Sequence, residues 1–462
     1  MRIGAVRRAA GLAIVLAGWA ASAAGQSANL KMGNPSGASA DPAARDNYLL
    51  DKPEYATSYN NGKGTPNWVS WRLAKADLGR APRDSFYADP ALPAGFLRVE
   101  PAEYDGSGFD RGHMCPHGDR TASAASSLAT FAMTNIIPQS HDLNTMAWES
   151  LEDYCRDLAL NQGKTLYVVA GPAGPPGGTG KRGLAATTPD GKVVVPSRNW
   201  KVVMVLDEDV ASAKDLTDGS AIHLIAIIAP NADGESANDW TQFLVTVNQV
   251  EALTGYTFFD AVAPAVINPL KGEVSQVTIP HYRVERVRGR IDRPVAPAIA
   301  PVEPPATPGG LMPAPVAPAP ARPQEPPVPE TPATAALRRA VAGLSYPSES
   351  DEPLEVFDWG AAPGRGPLTD AQLWHLSGMP PEARVERVEP ARFFDRLVRP
   401  KHPRGQVTPA QAGRYEALLG VLQGELADLE VIKVGQSEVA IFIIGRAKDG
   451  HLVGIRTGAT ET

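Results

Sequence analysis

Apolar and polar positions divide the chain into two patterned stretches separated by an unpatterned one. In the first stretch, short β-branched and aromatic runs are bounded by Gly, Pro or Asp. Asn67 to Leu73, Leu166 to Ala170, Val193 to Val195, Lys201 to Leu206 and Ala221 to Ile228 are therefore predicted strands. Apolar residues at helical spacing predict helices over Asn144 to Leu160 and Trp240 to Thr254. The last stretch holds a helical pattern, YEALLGVLQGELADL, followed by a strand-like EVAIFIIGRA and the ending GHLVGIRTGATET. No repeat of fixed period is present. The pattern predicts an α+β first domain and a small α/β second one.

The middle stretch has no such periodicity. Between Pro294 and Pro332 lie fifteen prolines in 39 residues, mixed with Ala, Val and Glu. That composition cannot bury a core and favours extended polyproline conformations. It is expected to act as a spacer. The layout that follows is a leader over 1–25, a first domain over 40–292, a Pro-rich linker over 293–334 and a second domain over 335–462. Residues 26–40 are expected to be a loose lead-in. A length of 462 residues suits this division, because ordinary domains run to about 100–200 residues.

Composition narrows the function classes. At 43% hydrophobic and 21% charged residues, the chain is not wholly disordered. A net charge of −7 argues against nucleic-acid binding through bulk positive charge, while a local cationic cleft stays open. Two cysteines exclude a disulfide-dense scaffold and a four-cysteine zinc site. At the start, Arg2, Arg7 and Arg8 precede an apolar run from Ala9 to Ala21, followed by small residues. This is the pattern of a cleaved secretory signal. The run is shorter than the ~20 residues a membrane span needs. The mature chain is therefore expected in the periplasm or outside the cell, with no membrane partner.

Polar chemistry concentrates between Tyr104 and Arg156. Asp110-Arg111-Gly112-His113 comes first, then Asn135, then the stretch from Asn144 to Glu152. Asn144, Trp148, Glu152 and Arg156 are spaced by four. On an α-helix each such step turns by about 40°, so the four share one slowly drifting stripe. The amide and carboxylate oxygens are hard donors suited to a hydrated Mg2+ (or Mn2+). Arg156 can fork onto phosphate. Alone, this stripe also fits a solvated helix face with a Glu152–Arg156 pair. His113 changes the reading, since a neutral imidazole can take a proton from water. Arg111 would project to the same side if the segment is extended. Base, metal ligands and cations are the parts of a phosphodiesterase. His117 and His141 read as structural.

At these residues the chain resembles the DNA/RNA non-specific endonucleases, the ββα-metal enzymes of the Serratia type. NWVSWRL, the ADPAL segment near Asp89 and VNQVEALTGYTFF share in the resemblance. It implies that His113 is the general base and that Asn144 is the sole direct protein ligand of a hydrated Mg2+. Glu152 would hold metal-bound water, Arg111 and Arg156 would contact phosphate, and Asn135 would support the site. Arg83, with Arg80 as rival, fills the place of an upstream arginine. The resemblance implies endonucleolytic hydrolysis of DNA and RNA leaving 5′-phosphates. Thr145-Met146 stand where the family usually has Gln-Gly. In an exported chain Cys115 and Cys155 are expected to form one disulfide, with two buried thiols as the other possibility.

In the second domain, Glu349 to Asp358 holds five acids and no base. A solvated acidic loop is the ordinary meaning of such a run. GLSYPSESDEPLEVFDW and the terminal GIRTGATET also resemble the nuclease A inhibitor family. That resemblance implies that Glu349 and Thr462 approach the metal site. The joint expectation is a nuclease autoinhibited by its own C-terminal domain. Two other readings are a secreted nucleic-acid- or nuclease-binding protein without catalysis, and a general phosphodiesterase.

Overall fold

The computed structural model describes residues 27–234, 239–277, 328, 330–361, 366–379, 381, 383–399, 405–435 and 438–461. The expected leader over 1–25 and nearly all of the Pro-rich stretch lie outside them. Thr462 does too.

Six antiparallel strands form the main sheet of the first part. They are β1 (Tyr48–Asp51), β2 (Ala56–Asn60), β3 (Thr65–Leu73), β6 (Thr165–Pro176), β9 (Pro196–Leu206) and β10 (Ile222–Pro230), in the order β1-β2-β3-β6-β9-β10. Alternate residues of each strand enter different cores. Val69, Trp71, Leu166, Val168, Val203 and Ile225 face one side, while Trp68, Tyr167, Val169, Val202 and Met204 face the other. Both faces are buried, which is why these strands read as near-continuous apolar runs rather than polar–apolar alternation. Residues 26–40 are not the loose lead-in expected of them. Leu30 and Met32 are buried in the second of these cores, and Asn29 donates to the Lys52 carbonyl at 3.0 Å.

Two other sequence expectations change. Val193 to Val195 form no strand; Val194 makes an isolated bridge to Thr187 while Val193 and Val195 are buried. Trp240 to Thr254 is not one helix. A short turn over Trp240–Phe243 is separated from α3 (Val247–Thr254), which Thr246 caps by accepting from the Gln249 amide. The cap fixes the helix start and leaves the buried Trp240 in the core against the sheet.

On the first face lies a two-stranded ribbon, β4 (Asp110–His113) with β5 (Ile136–Gln139), pairing His113 with Ile136 and Asp110 with Gln139. Chain order then brings a π-helical turn, Leu143–Trp148, that runs directly into α2 (Glu149–Leu160). Such turns bond i→i+5 and often mark functional sites. Strand, strand and helix make a ββα unit seated on the large sheet.

The second part is a five-stranded antiparallel sheet. Its strands are β11 (Glu355–Ala361), β12 (Val385–Val388), β13 (Ala427–Gly435), β14 (Glu438–Arg446) and β15 (His451–Thr460), in the order β11-β15-β14-β13-β12. Helices Pro332–Val341, Pro390–Val398 and Pro409–Glu425 pack on one face. Helix Asp370–Ser377 contributes Leu373 to the core on the other. Ser345 to Leu354 forms an irregular loop at the end of this sheet, tied back where the Glu349 amide donates to the Thr460 carbonyl at 3.3 Å.

Candidate active site

The ββα unit gathers the sequence-predicted residues. In β4 the chain is extended, so Arg111 and His113 lie on the same side, as expected of that segment. Gly112 between them packs so closely on Gln139 that a Cβ there would lie 2.2 Å from the glutamine Oε1. Asn135 holds the strand from behind. Its Nδ2 donates to the carbonyls of Cys115 and Thr130 at 2.8 Å each, and its Oδ1 accepts from the Cys115 amide at 2.9 Å. Trp148 Nε1 donates to the His113 carbonyl at 3.3 Å, joining the helix to the strand.

His113 is 2% exposed and lies among Phe86 and Phe131, with ring centroids 5.2 and 5.1 Å away. Burial and the nearby Arg83 charge lower its pKa from 6.5, against the opposing pull of Glu349. The ring is thus held neutral. Its Nδ1 faces the Glu349 carboxylate at 3.4 Å, too far for a well-formed hydrogen bond.

Asn144 is 1% exposed. Its Nδ2 donates to Asp110 Oδ2 at 3.1 Å and to Glu349 Oε2 at 2.7 Å. A carboxylate only accepts, so these two partners fix the amide orientation. The Oδ1 is left buried with no hydrogen-bond partner. Among the described residues no group of three His, Cys, Asp or Glu side chains is placed to hold a metal ion. An orphaned hard oxygen is nevertheless what a mostly hydrated Mg2+ accepts from a protein. The residues fit the ion.

Further along the helix the arrangement is more internal than the stripe predicts. Glu152 is 3% exposed, and its Oε1 accepts from Lys201 Nζ at 2.7 Å. Burial raises the Glu152 pKa, while Lys201 and Arg156 pull it down. Lys201 comes from β9 and lies 4.0 Å from the Trp148 ring centroid. Arg156 Nη1 is 3.2 Å from Asp119 and 4.0 Å from Glu152, and Nη2 is 2.8 Å from Asp153. The Glu152–Arg156 contact is therefore the weakest of these. Arg83 reaches the site and meets Glu349 Oε1 directly, whereas the rival Arg80 is exposed.

Glu349 binds the centre of this constellation from the second domain. One oxygen meets Arg83 and faces His113; the other accepts from Asn144. Its backbone carbonyl accepts from the Arg111 amide at 3.0 Å. Burial opposes the charged carboxylate, but Arg83, His113 and Asn144 outweigh it and hold the pKa at about 2. Two residues on, Asp351 Oδ2 lies 2.7 Å from Arg111 Nη2, which also meets Asp105 at 2.7 Å. Asp351 takes a left-handed conformation, φ 52°, that a non-glycine residue adopts only when its surroundings enforce it. Gln406 enforces it, donating to Asp351 Oδ1 and to the Ser348 carbonyl at 2.6 Å each. The Gln406 amide in turn donates to the Phe86 carbonyl at 2.9 Å.

Several participants escape a reading of the sequence. Asp110 orients Asn144, and Lys201 neutralises Glu152; both signals depend on long-range contact. His141, read as structural, stands at the rim of the site, its Nδ1 meeting Asp110 at 2.9 Å and its Nε2 meeting Glu438 at 3.0 Å. His117 fits the bland reading, buried with Nδ1 3.0 Å from Ser127 Oγ. The expected disulfide is absent: Cys115 and Cys155 are free, buried thiols. Both belong to the apolar core under the ribbon, and burial pushes the Cys155 thiol up to about 12, so neither presents a reactive thiolate. Of the inhibitory pair, Glu349 is in the site, while Thr462 lies outside the described residues. The adjoining Glu461 pairs with Lys433 of its own domain at 2.8 Å.

A model of the DNA/RNA non-specific endonucleases matches residues 33–265, and one of nuclease A inhibitor-like proteins matches residues 331–462. A nuclease of Nostoc sp. is 46% identical over 249 residues, covering 54% of this chain and 86% of that protein. Nuclease C1 of Cunninghamella echinulata is 34% identical over 239 residues, covering 50% of this chain and 89% of its own length. A crystal structure of the EndoG/EndoGI complex aligns over 52% of this chain and 92% of that one, at 24% identity and a TM-score of 0.42. By the family model over residues 33–265 and the 46% identity to the Nostoc nuclease, the chain belongs to the DNA/RNA non-specific endonuclease family, and by the second model it carries a nuclease A inhibitor-like domain at its C-terminal end.

Proposed function

We propose that this endonuclease is an exported, Mg2+-dependent enzyme that cuts DNA and RNA and is held inactive by its own inhibitor-like domain. The observation that carries the inhibition is the buried carboxylate of Glu349, which engages Arg83 and Asn144 and faces His113 at once. No phosphate can occupy that position while Glu349 does. The leader over 1–25 supports export.

In the released enzyme, His113 Nδ1 takes a proton from the attacking water, the ring being positioned by Phe86 and Phe131 of its own domain. Arg83 and Arg111 face the phosphate and balance the charge that develops on it. Asn144 Oδ1, left without a hydrogen-bond partner while Asp110 orients the amide, would hold the metal, which would supply positive charge to offset that developing on the phosphate. Glu152, paired with Lys201 at 2.7 Å, orders water in the inner part of the site. Arg156 keeps that carboxylate and Asp119 in place and presents the outer edge of its guanidinium to the strand. Recognition through phosphate carries little base information, which suits a substrate range spanning DNA and RNA.

The test compares the mature full-length chain with one ending near residue 293, on plasmid DNA and on RNA, with Mg2+ and with EDTA. Cutting by the shorter chain alone, and only with metal, is the expected result. Equal cutting by both would remove the inhibitory role. No cutting by either folded protein would remove the enzyme reading.

A further inference from the structure

The acids of the inhibitor-like domain are distributed over the nuclease in a way that extends past the reacting centre. Glu349 meets Arg83 and Asp351 meets Arg111, the two cations already placed beside the phosphate. Glu352 meets Lys181 Nζ at 3.1 Å, and Glu438 meets His141 Nε2 at 3.0 Å. Glu352 and Glu438 come from different parts of the second domain, the inhibitory loop and strand β14. Neither Lys181 nor His141 has a part in the chemistry described above.

Both groups are built into the edge of the site. Lys181 sits at the turn between β7 (Gly178–Gly180) and β8 (Gly183–Ala185), and its amide donates to the Gly108 carbonyl at 3.0 Å. Gly108 lies two residues before the first residue of β4. At this turn Gly108 has φ 84°, and a Cβ on it would lie 2.9 Å from the Arg182 amide, so only glycine lets the hairpin approach. His141 is anchored through Nδ1 to Asp110, which leaves Nε2 directed outward. Burial opposes the charge on both groups, and Asp110 favours it on both, together with Glu352 at Lys181 and Glu438 at His141.

The Lys181–Glu352 pair is 44% and 38% exposed at its side chains. An ion pair so exposed adds little to the stability of the docked state. Its placement is better explained by what it covers. We infer that Lys181 and His141 form a second phosphate subsite, binding a backbone phosphate of the nucleic-acid strand next to the one that is cut, and that Glu352 and Glu438 cover it in the inhibited chain. This rests on the autoinhibition reading, because only then do the inhibitor's acids stand where substrate phosphates bind. Such a subsite positions a polymer and has no role with a substrate that carries a single phosphate.

The experiment uses the full mature chain carrying Glu349→Gln, Asp351→Asn, Glu352→Gln and Glu438→Gln, so that no inhibitor acid faces either cation. On that background Lys181→Met and His141→Gln are compared with their parent, on a 30-base-pair duplex and on bis(p-nitrophenyl) phosphate, with Mg2+. The subsite predicts a KM for the duplex raised about three- to tenfold by each substitution, with kcat retained. It also predicts that Lys181→Met lowers the slope of log kcat/KM against log salt by about one. Turnover of the small diester stays at the parental value. An unchanged duplex KM and salt slope would overturn the subsite while leaving autoinhibition standing. An equal loss on both substrates would overturn it in favour of a structural role. A four-acid variant that cuts no better than the natural chain would overturn the autoinhibition reading, and the subsite with it.

Discussion

His113 and Lys201 show how burial sets chemistry one residue at a time. Burial lowers the pKa of the imidazole in the docked chain. Because the imidazole is the general base, His113→Ala in the chain ending near residue 293 is expected to cut about 10²–10⁴-fold more slowly with its circular dichroism unchanged. Near-parental cleavage would sink the base assignment. Lys201 is 1% exposed and holds the carboxylate of Glu152 inside the protein. Lys201→Met leaves that charge unpaired and is expected to cost about 3–5 kcal/mol. The sign of its pH dependence follows from the raised pKa of Glu152. A carboxyl with a raised folded pKa favours folding at low pH and loses that contribution as pH rises through the folded value. The deficit in urea midpoint should therefore be larger at pH 8 than at pH 5, and Lys201→Met with Glu152→Gln should recover most of it. A deficit equal at both pH values would count against a charge origin.

The β4–β5 ribbon and the turn into α2 convert sequence spacing into a site. Residues 110–113 are legible as an extended segment, because alternate positions must share a side and the motif puts Arg111 and His113 there. The stripe Asn144, Trp148, Glu152 and Arg156 is legible only in part. A π-helical turn replaces the first α-turn, so Asn144 faces Asp110 and the cleft while Glu152 turns inward to Lys201. Helical periodicity shows which residues share a face but not which charged partner another strand will bring. The Trp240 to Thr254 pattern differs from the structure for a related reason, since apolar spacing continues across a break that the Thr246 cap imposes. The ribbon also makes a demand of its own. Gly112→Ala would drive a Cβ into Gln139, and the strands are expected to separate at a cost of about 1–3 kcal/mol. A lowered melting temperature together with lost cleavage would show it; a melting temperature within a degree of the parent would not.

At the scale of the molecule, one loop from the second domain closes the site of the first. Breaking an interfacial charge pair that is buried and hydrogen-bonded costs about 2–5 kcal/mol. Glu349→Gln in the intact chain should therefore raise cleavage of plasmid DNA at least about tenfold. Cleavage unchanged by the substitution would place the inhibitory contact elsewhere. The docked Glu349 pKa of about 2 gives the contact a pH window. A carboxylate with a depressed folded pKa contributes above its free value and loses that contribution as pH falls toward the bound one. In a chain nicked within the Pro-rich stretch, the two parts should co-elute on sizing at pH 6. They should separate near pH 3, provided circular dichroism shows both still folded. Co-elution at both pH values would mean that other contacts, such as the Gln406–Phe86 backbone bond, hold the parts together.

The sequence by itself determined the kinds of structure and the chemistry available. Its apolar runs specified an α+β unit and a small α/β unit, its prolines excluded a core between them, and its Asp-Arg-Gly-His and Asn-to-Arg156 motifs marked the candidates for base, metal ligand and cations. Those features are local, so neighbouring residues are enough to encode them. Tertiary structure alone decided the partners. Lys201 for Glu152, Asp110 for His141, Glu349 for the whole site and the free state of both cysteines each depend on elements far apart in the chain, brought together by packing. Which charges meet depends on how the sheets and helices pack together, and no single stretch of sequence carries that information.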